Sequence, residues 1–272
     1  MLFRSIDLAA RAHGLHVLVS STHGDADETA AALHALQGRV DGLLIMSPHV
    51  DAEFLRKHLA GSVPAVLMDT PLRDRRCAYV SIDNHGGARA MTEHLLACGF
   101  RKLAFIGGPE ANHDARERLR GFAETAAGRR GITTRLLQGD YSEESGHRAG
   151  QALLSGKDRP DAVFAANDMM AIGCLSAFNE AGVRVPEEIA LAGFDDIPIA
   201  RYMHPPLTTV RVQISELGHA ALERLVTQMQ APDTPEPGVT TLECEVVVRA
   251  SCGFRTEPVG SSMPRQELHT HN

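Results

Sequence analysis

The chain has 272 residues, of which 43% are hydrophobic, which is enough for a large core in one or two domains. Its formal net charge is −7 at pH 7, which argues against a domain that holds nucleic acid on a basic face of its own. No run approaches the ~20 consecutive apolar residues that a membrane-spanning helix needs.

The first part of the chain predicts helices and strands in alternation. A helix begins near Phe3 and closes at Gly14, where a glycine can adopt the left-handed cap conformation. Apolar runs and helical periodicity then predict the following elements in order: strand Leu15–Val19, helix Asp25–Gln37, strand Val40–Met46, helix Asp51–Leu59, strand Ala65–Met68 and strand Tyr79–Ile82.

The alternation continues through the rest of the chain. The predicted helices are Gly86–Cys98, Asp114–Ala127, Glu143–Leu154 and Ser215–Met229. The predicted strands are Leu103–Ile106, Thr133–Leu137, Asp161–Ala166, Ile189–Phe194 and Thr240–Val248. From about Thr256 onward the sequence is polar, and we expect residues 256–272 to form a disordered tail.

One stretch, Pro160–Val212, holds a strand, a helix and a second strand. The first strand stops at Asn167-Asp168, where a short polar side chain can cap the helix, and the second stops at Asp195-Asp196. A unit of this length implies two parallel strands with a right-handed crossover. Because ligands of such sheets bind beyond the carboxyl ends of the strands, these polar residues predict a binding rim.

Alternation throughout the chain predicts a doubly wound α/β protein. Two sets of about five strands suit two lobes better than one very wide sheet. The sequence therefore predicts two α/β lobes.

The amino-acid sequence of the same stretch resembles that of a known family. The segments AANDMMAIG and VPEEIALAGFDDIPIARYMHPPLTTV resemble the effector-binding core of the LacI/GalR family of bacterial transcription regulators, and the resemblance covers roughly Leu2 to Gly253. It implies two doubly wound lobes like those of type I periplasmic sugar-binding proteins, with a ligand cleft between them. By this analogy, residues 1–83 and 209–238 form an N-terminal lobe, and residues 84–208 and 239–255 form a C-terminal lobe.

The resemblance also implies a departure at the start. Members of the family carry a helix-turn-helix, a hinge and a buried strand ahead of the first helix, whereas Met1-Leu2-Phe3 stands about where that helix begins. We therefore expect operator DNA to be bound only through an N-terminal head that this chain does not contain.

Polar groups at the strand ends suit a sugar. Carboxylates accept hydrogen bonds from hydroxyls, a guanidinium donates two parallel bonds, and an aromatic ring covers the apolar face of a sugar. The candidate effector-binding residues are Asp69, Asp114, Arg118, Tyr141, Asn167 and Asp195.

The resemblance bears on these candidates one at a time. Arg118 opens Arg118-Leu119-Arg120-Gly121-Phe122, which matches the family's R-x-x-G-[FYW] segment, whose first arginine contacts effector; a surface salt bridge is the alternative. Asp195 is the first acid of the family's G-[FY]-D-[DN] segment, a usual ligand acceptor. Asn167 matches the asparagine of N-D-x-[MA]-A, as a ligand contact or as a helix cap.

The other three candidates match less specific positions. Tyr141 stands where the family often has an aromatic residue, for ligand contact or for packing. Asp69 ends its strand where many relatives place a ligand acid, and Asp114 lies at a position that varies with the effector.

Motifs of common enzymes are missing from the sequence. It has no GxxxxGK[ST], no GxGxxG after a strand, no GxSxG and no HExxH, and its histidines are scattered, with His269 and His271 in the tail. We expect no catalytic residues, metal or cofactor. Asp195-Asp196 could serve as paired carboxylates in acid–base chemistry; the simpler interpretation is that one braces the turn while the other faces a ligand.

Five cysteines, an odd number without CxxC, and the lack of a signal peptide favour a reduced, cytoplasmic location. The leading hypothesis is the effector-sensing core of a LacI/GalR-like regulator, a homodimer that binds a small sugar or sugar derivative, with a purine as the less favoured effector. A sugar-binding protein of a transporter is the alternative, and a sugar-processing enzyme with Asp195 or Asp196 as base is the third hypothesis.

Overall fold

The computed structural model describes residues 2–22, 25–46, 52–58, 63–70, 78–156, 158–231 and 238–253. The helices are α1 (Leu2–Ala12), α2 (Ala26–Leu36), α3 (Ala52–His58), α4 (Asn84–Ala97), α5 (His113–Ala126), α6 (Glu143–Ser155), α7 (Asp168–Glu180) and α8 (Ile214–Gln230), with a 3₁₀ turn at Pro198–Tyr202. The strands are β1 (Leu43–Met46), β2 (Ala65–Met68), β3 (Ala78–Ile82), β4 (Lys102–Gly107), β5 (Thr133–Gln138), β6 (Ala162–Ala165), β7 (Ala190–Asp195), β8 (Thr208–Arg211), β9 (Val239–Leu242) and β10 (Glu245–Val247).

These strands form two sheets. The first sheet has the order β1-β2-β3-β9 and all its pairs are parallel. The second has the order β10-β8-β7-β6-β4-β5, parallel except for the antiparallel pair of β10 with β8. Parallel order brings the carboxyl ends of the strands to one edge of each sheet, which is where such folds bind ligands.

Helices cover both sheets. In the second sheet, β6 is buried along its whole length and packs with α4, α5 and α7 in one large core, whose centre holds the rings of Phe105, Phe122 and Phe164. In the first sheet, α8 packs on the strands and α1 packs on α8. The fold is thus a pair of α/β layers, as the alternation of elements predicts.

The predicted strand Leu15–Val19 is not a strand in the structure. The segment is extended, and Val17 packs beside Leu44, but its backbone pairs with none of the described strands. Leu18 and Val19 are 66% and 63% exposed. An apolar run becomes a strand only when a neighbouring chain accepts its backbone hydrogen bonds, and within the described residues this run has no such neighbour.

The predicted strand Thr240–Val248 is two strands in different sheets. β9 pairs with β3 in the first sheet, and β10 pairs with β8 in the second, so the chain crosses at Glu243-Cys244. β8 itself lies in the second sheet, beside β7. Sheet membership therefore changes after residues 82, 211 and 242, so the second and third changes lie a few residues beyond the boundaries expected at 208 and 238.

The predicted tail, residues 256–272, lies outside the described residues. Among the helices of the described part, none is long and apolar enough to cross a bilayer.

Candidate functional site

The six candidate residues stand beyond strand ends or on the helix that follows one. Asp69 comes directly after β2, Asp195 is the last residue of β7, and Asn167 lies between β6 and α7. The others follow in the same way: Tyr141 lies between β5 and α6, and Asp114 and Arg118 lie on α5, which follows β4.

Four non-glycine residues of the described chain have positive φ, and three of them are candidates. The values are 44° at Asp69, 73° at Tyr141 and 110° at Asp195, and the fourth residue is Asp196 at 53°. Such backbone conformations are uncommon for residues with a Cβ and persist where the surrounding structure holds them. Strain at functional sites is a general observation, so this concentration marks the strand ends independently of sequence motifs.

Arg118 is buried and anchors the centre of the site. Its Nε donates to Asn84 Oδ1 at 2.8 Å, and its Nη1 donates to the Ala166 carbonyl at 2.7 Å and to Asp195 Oδ1 at 3.0 Å. Its guanidinium carbon lies 3.8 Å from the centroid of the Phe194 ring, which adds a cation–π contact. The arginine therefore joins the starts of α4 and α7 to the end of β7.

Asp195 is the ionic partner of Arg118. Burial raises the pKa of this carboxyl, and the charge and hydrogen bond of Arg118 oppose that shift. A third of its side chain stays exposed, so an oxygen remains available on the open side. Its neighbour Asp196 faces the other way: its carboxylate, 4% exposed, accepts from Arg211 at 2.8 Å and from Arg249.

Tyr141 presents a hydroxyl that lacks a partner among the described residues. Its oxygen is buried and forms no hydrogen bond with the described residues, and burial raises the pKa of this phenol to about 12. Gly108 makes room for the ring, because a Cβ there would lie 2.5 Å from it. The Tyr141 carbonyl accepts from Asn167 Nδ2 at 3.0 Å, while Asn167 Oδ1 caps α7 by accepting from Met170 N at 2.9 Å. Both polar ends of Asn167 are thus occupied within the protein.

Asp69 and Asp114 lie on a cavity between the two sheets. The cavity measures about 350 Å³, and its walls come from β3, β9 and the end of β2 in the first sheet, from the start of α4 and from the first half of α5. Asp69 is 5% exposed, and among the described residues it accepts one hydrogen bond, from Ile82 N at 3.0 Å. Burial, followed by the charge of Asp114, raises the pKa of Asp69 to about 7. Burial also raises the pKa of Asp114.

The candidates therefore fall into two groups. Asp69 and Asp114 line the cavity, whereas Arg118, Asn167 and Asp195 belong to a hydrogen-bonded network with Tyr141 beside it. The groups lie close enough to interact, because Asp114 acts on the pKa of Arg118 and Arg118 acts on that of Asp69.

Sequence reasoning missed three residues of this region. Asn84 accepts the Arg118 Nε–H, Phe194 lies under the guanidinium, and Thr70 lines the cavity with a buried hydroxyl oxygen that has no partner among the described residues. Asn84 and Thr70 each lie two residues past a strand end, so the strand-end rule could have found them. Phe194 could not be found, because it reads as an ordinary apolar residue of a buried strand.

A second buried acid braces the same edge of the sheet. Asp168 is fully buried and accepts from Thr209 Oγ1 at 2.6 Å and from Ile197 N at 2.9 Å. Burial raises the pKa of its carboxyl to about 7. It joins α7 to β8 and to the turn after β7, which holds Asp195 in place. Among the described residues, His, Cys, Asp and Glu side chains form no group suited to a metal ion.

Comparison with known proteins places this geometry in a family. Residues 92–252 match the periplasmic binding protein-like domain. The chain is 34% identical over 247 residues to the HTH-type transcriptional repressor PurR of Photobacterium profundum, covering 88% of this chain and 72% of the relative. Across the curated relatives that head the comparison, the chain spans 63% to 74% of their length.

Two solved structures give the same answer. The transcriptional regulator CelR in complex with cellobiose has a TM-score of 0.81 and 29% identity, covering 92% of this chain and 77% of that one. The lac repressor dimer bound to operator and the anti-inducer ONPF has a TM-score of 0.83 and 28% identity, covering 93% and 76%. The chain belongs to the LacI/GalR family of transcription regulators and has the type I periplasmic-binding-protein-like fold of their effector domains.

Proposed function

We propose that this chain is the effector-sensing core of a LacI/GalR-like regulator, and that it binds a small sugar or sugar derivative in the cleft between its two sheets. The observation that carries the proposal is the set of strained strand-end residues around Arg118: Asp69, Tyr141 and Asp195 all have positive φ and converge on one region. The solved complex of CelR with cellobiose, a neutral disaccharide, supports a sugar as the ligand.

The two sheets act as two lobes in this proposal. Each has its own helices and core, and the chain passes between them near residues 83, 213 and 243. A ligand that contacts both lobes favours one relative arrangement, and only such differential binding can change the affinity for a second partner. Operator DNA is that second partner, and a DNA-binding segment outside these 272 residues contacts it.

A homodimer would carry this change to the DNA. The lac repressor structure similar to this chain is a dimer on its operator. In this chain, Ile199 and Tyr202 of the 3₁₀ turn are 52% and 68% exposed. Met169, two residues after Asn167, is 38% exposed. Exposed apolar side chains on one short turn suit a contact with a second copy. Sedimentation velocity of the purified chain tests this, with a monomer at micromolar concentration as the contrary result.

No observation favours a transporter component or an enzyme over this function. The relatives and solved structures compared above are transcription regulators, and the two carboxyl groups that could act as a base have other contacts. Asp195 pairs with Arg118, and Asp196 pairs with Arg211 and Arg249.

A thermal-shift screen tests the proposal. The purified chain is heated with neutral monosaccharides and disaccharides, sugar phosphates, and purine bases. A ligand that binds only the folded state adds about 2.7 kcal/mol of stability at a hundredfold excess over its Kd. We expect a shift from one sugar class.

Tyr141→Phe is compared with the control Asp158→Asn in this screen. Tyr141→Phe removes a buried hydroxyl that has no partner among the described residues, so the free protein should be as stable as before, while the ligand-induced shift should fall. Asp158→Asn changes a side chain that is 95% exposed and does not line the cavity, and it should leave the shift unchanged. A well-folded chain that responds to no sugar would overturn the proposal, and a purine that alone shifts the chain would overturn its sugar component.

A further inference from the structure

The cavity between the sheets has an excess of negative charge. Its walls carry four carboxyl groups, and Arg120 is the one arginine or lysine among its described lining residues. Arg120 is already engaged: its guanidinium lies 2.6 Å from Glu117 and 3.7 Å from Glu124. Of the two lining histidines, His85 pairs with Glu124 at 2.8 Å, and His113 stands next to Asp114, where its charge opposes the rise in the pKa of that carboxyl. Within the described residues, Asp69 and Asp114 therefore have no cation within ion-pair distance.

These two acids reach the cavity from opposite sides. Asp69 follows β2 of the first sheet, and Asp114 lies in the first turn of α5, which packs on β4 of the second sheet. Each disfavours the charge of the other, since their like charges interact across the cavity. Arg118 reduces this effect from one side, but its hydrogen bonds go to Asn84, Ala166 and Asp195. Among the described lining residues, His113 beside Asp114 is the one His, Lys or Arg side chain without an ion pair, so the four carboxyl groups outnumber it.

The helix starts that face the cavity do not offset this. An α-helix N-terminus usually attracts anions through its free N–H groups. Here Asp83 Oδ1 accepts from Gly86 N at 2.7 Å at the start of α4, and Asn112 Oδ1 accepts from Ala115 N at 2.9 Å at the start of α5. At α4 the cap is itself a carboxylate, so this helix start adds negative charge to the wall of the cavity.

The cavity also offers a free neutral group. Thr70 lines it next to Asp69, and its buried hydroxyl oxygen has no partner within the described residues. A buried polar atom without a partner costs stability, and a ligand hydroxyl is suited to satisfy it. Carboxylates and an unpaired hydroxyl together call for a ligand rich in hydrogen-bond donors.

We propose that the effector bridges Asp69 and Asp114 with hydroxyl donors and carries no negative charge, so that the cavity takes an uncharged polyhydroxylated sugar and excludes its phosphate and its uronic acid. This inference rests on the proposed function, and it narrows the ligand from sugar derivatives in general to one charge class. The acids act here as acceptors that select by charge, since a ligand phosphate beside them would be repelled by their ionised forms.

A charge series of sugars tests the inference. Isothermal titration compares glucose, galactose and mannose with their 6-phosphates, and glucose and galactose with glucuronate and galacturonate, together with cellobiose, on the wild-type chain. We expect at least one neutral sugar to bind, and to bind more than tenfold more tightly than its charged forms. A phosphate or a uronate that binds as tightly as its neutral parent would overturn the inference while leaving the proposed function intact.

Variants that remove one negative charge test which acid causes the preference for a neutral sugar. Asp114→Asn keeps the size of the side chain and removes one negative charge, so the preference for the neutral sugar over its phosphate should fall at least threefold. Asp158→Asn removes a charge from a side chain that is 95% exposed and does not line the cavity, and should leave the preference unchanged. An unchanged preference in Asp114→Asn would contradict the assignment to this acid. Failure of every sugar, charged or neutral, would instead overturn the proposed function and this inference with it.

Discussion

The two sides of the cleft differ in how far their polar groups are satisfied. On the side of the second sheet, Arg118 makes hydrogen bonds to three partners and Asn167 uses both ends of its amide. On the side of the first sheet, Asp69 accepts a single backbone N–H and the Thr70 hydroxyl has no partner among the described residues. The first arrangement fixes geometry, and the second leaves hydrogen-bonding capacity for a ligand.

This difference teaches how to separate support from recognition in one site. A buried polar group that is fully hydrogen-bonded stabilises the fold, so removing it should lower the free energy of unfolding. A buried polar group without a hydrogen bond costs stability, so removing it should not destabilise the fold but should weaken ligand binding. Variants of the bonded and of the unbonded residues distinguish these two roles.

Arg118→Ala should produce the largest loss of stability. It leaves the Asp195 carboxylate without its cation and frees the buried oxygens of Asn84 and Ala166. Breaking one partner of a buried pair costs about 3–5 kcal/mol, which lowers the Tm of a chain of this size by about 10 °C. Differential scanning calorimetry measures the change.

Arg120→Ala is the matched control for this prediction. Arg120 lies on the same helix, and its side chain is 53% exposed. Exposed ion pairs contribute about 0–1 kcal/mol, so the Tm should move by a few degrees at most. Equal losses in the two variants would show that Arg118 is not the supporting centre of the site.

The wild type should lose stability as pH rises towards 7, and the variant Asp69→Asn should lose less of it. The pKa of Asp69 is raised to about 7, so the folded chain holds a proton that the unfolded chain releases near pH 4. Between these values the folded state binds more protons, and stability falls as pH increases until about pH 7. Asparagine cannot ionise and can still accept from Ile82 N, so the variant should lose less stability between pH 5.5 and 8, by on the order of a few kcal/mol.

Urea unfolding at the two pH values measures this difference. Asp158→Asn serves as the control, because its side chain is exposed, and its pH dependence should follow that of the wild type. The same Asp69→Asn variant should bind sugar less tightly despite its higher stability at pH 8. A variant that is less stable than the wild type at both pH values would place Asp69 among the supporting residues.

Gly108→Ala should have the smallest effect of the three on stability and a clear one on binding. Its Cβ would lie 2.5 Å from the Tyr141 ring, so the ring must move. Overpacking of this kind costs about 1–3 kcal/mol. Gly107→Ala is the neighbouring control, since the nearest atom to its Cβ is 3.6 Å away, an ordinary contact distance. Titration with the sugar from the screen should show weaker binding only in Gly108→Ala, and equal affinity in both would remove Tyr141 from the site.

Much of this site follows from a rule that the sequence alone supports. Parallel strands bring their carboxyl ends together, so the polar residues after apolar runs identify Asp69, Asn167 and Asp195 as neighbours of a cleft. Helix bounds are also close to prediction: the helix expected over Asp114–Ala127 is observed over His113–Ala126, because its asparagine cap and apolar periodicity are local signals.

Other features depend on contacts that sequence patterns do not encode. Leu15–Val19 reads as a strand, yet within the described residues no neighbour pairs with its backbone. Thr240–Val248 reads as one strand, but its halves belong to different sheets, since the first half pairs with β3 and the second with β8. The division of the candidates between a bonded network and an open cavity is likewise a matter of side-chain partners, which only the folded chain determines.

A crystal structure of the chain with the sugar that gives the largest thermal shift would locate the effector. We expect the sugar to lie between the two sheets, with hydroxyls within hydrogen-bond distance of Asp69 and Asp114 and with the Tyr141 hydroxyl bonded to the ligand. A sugar bound away from this cavity, or bound within it while Asp69, Asp114 and Tyr141 make no contact, would contradict it.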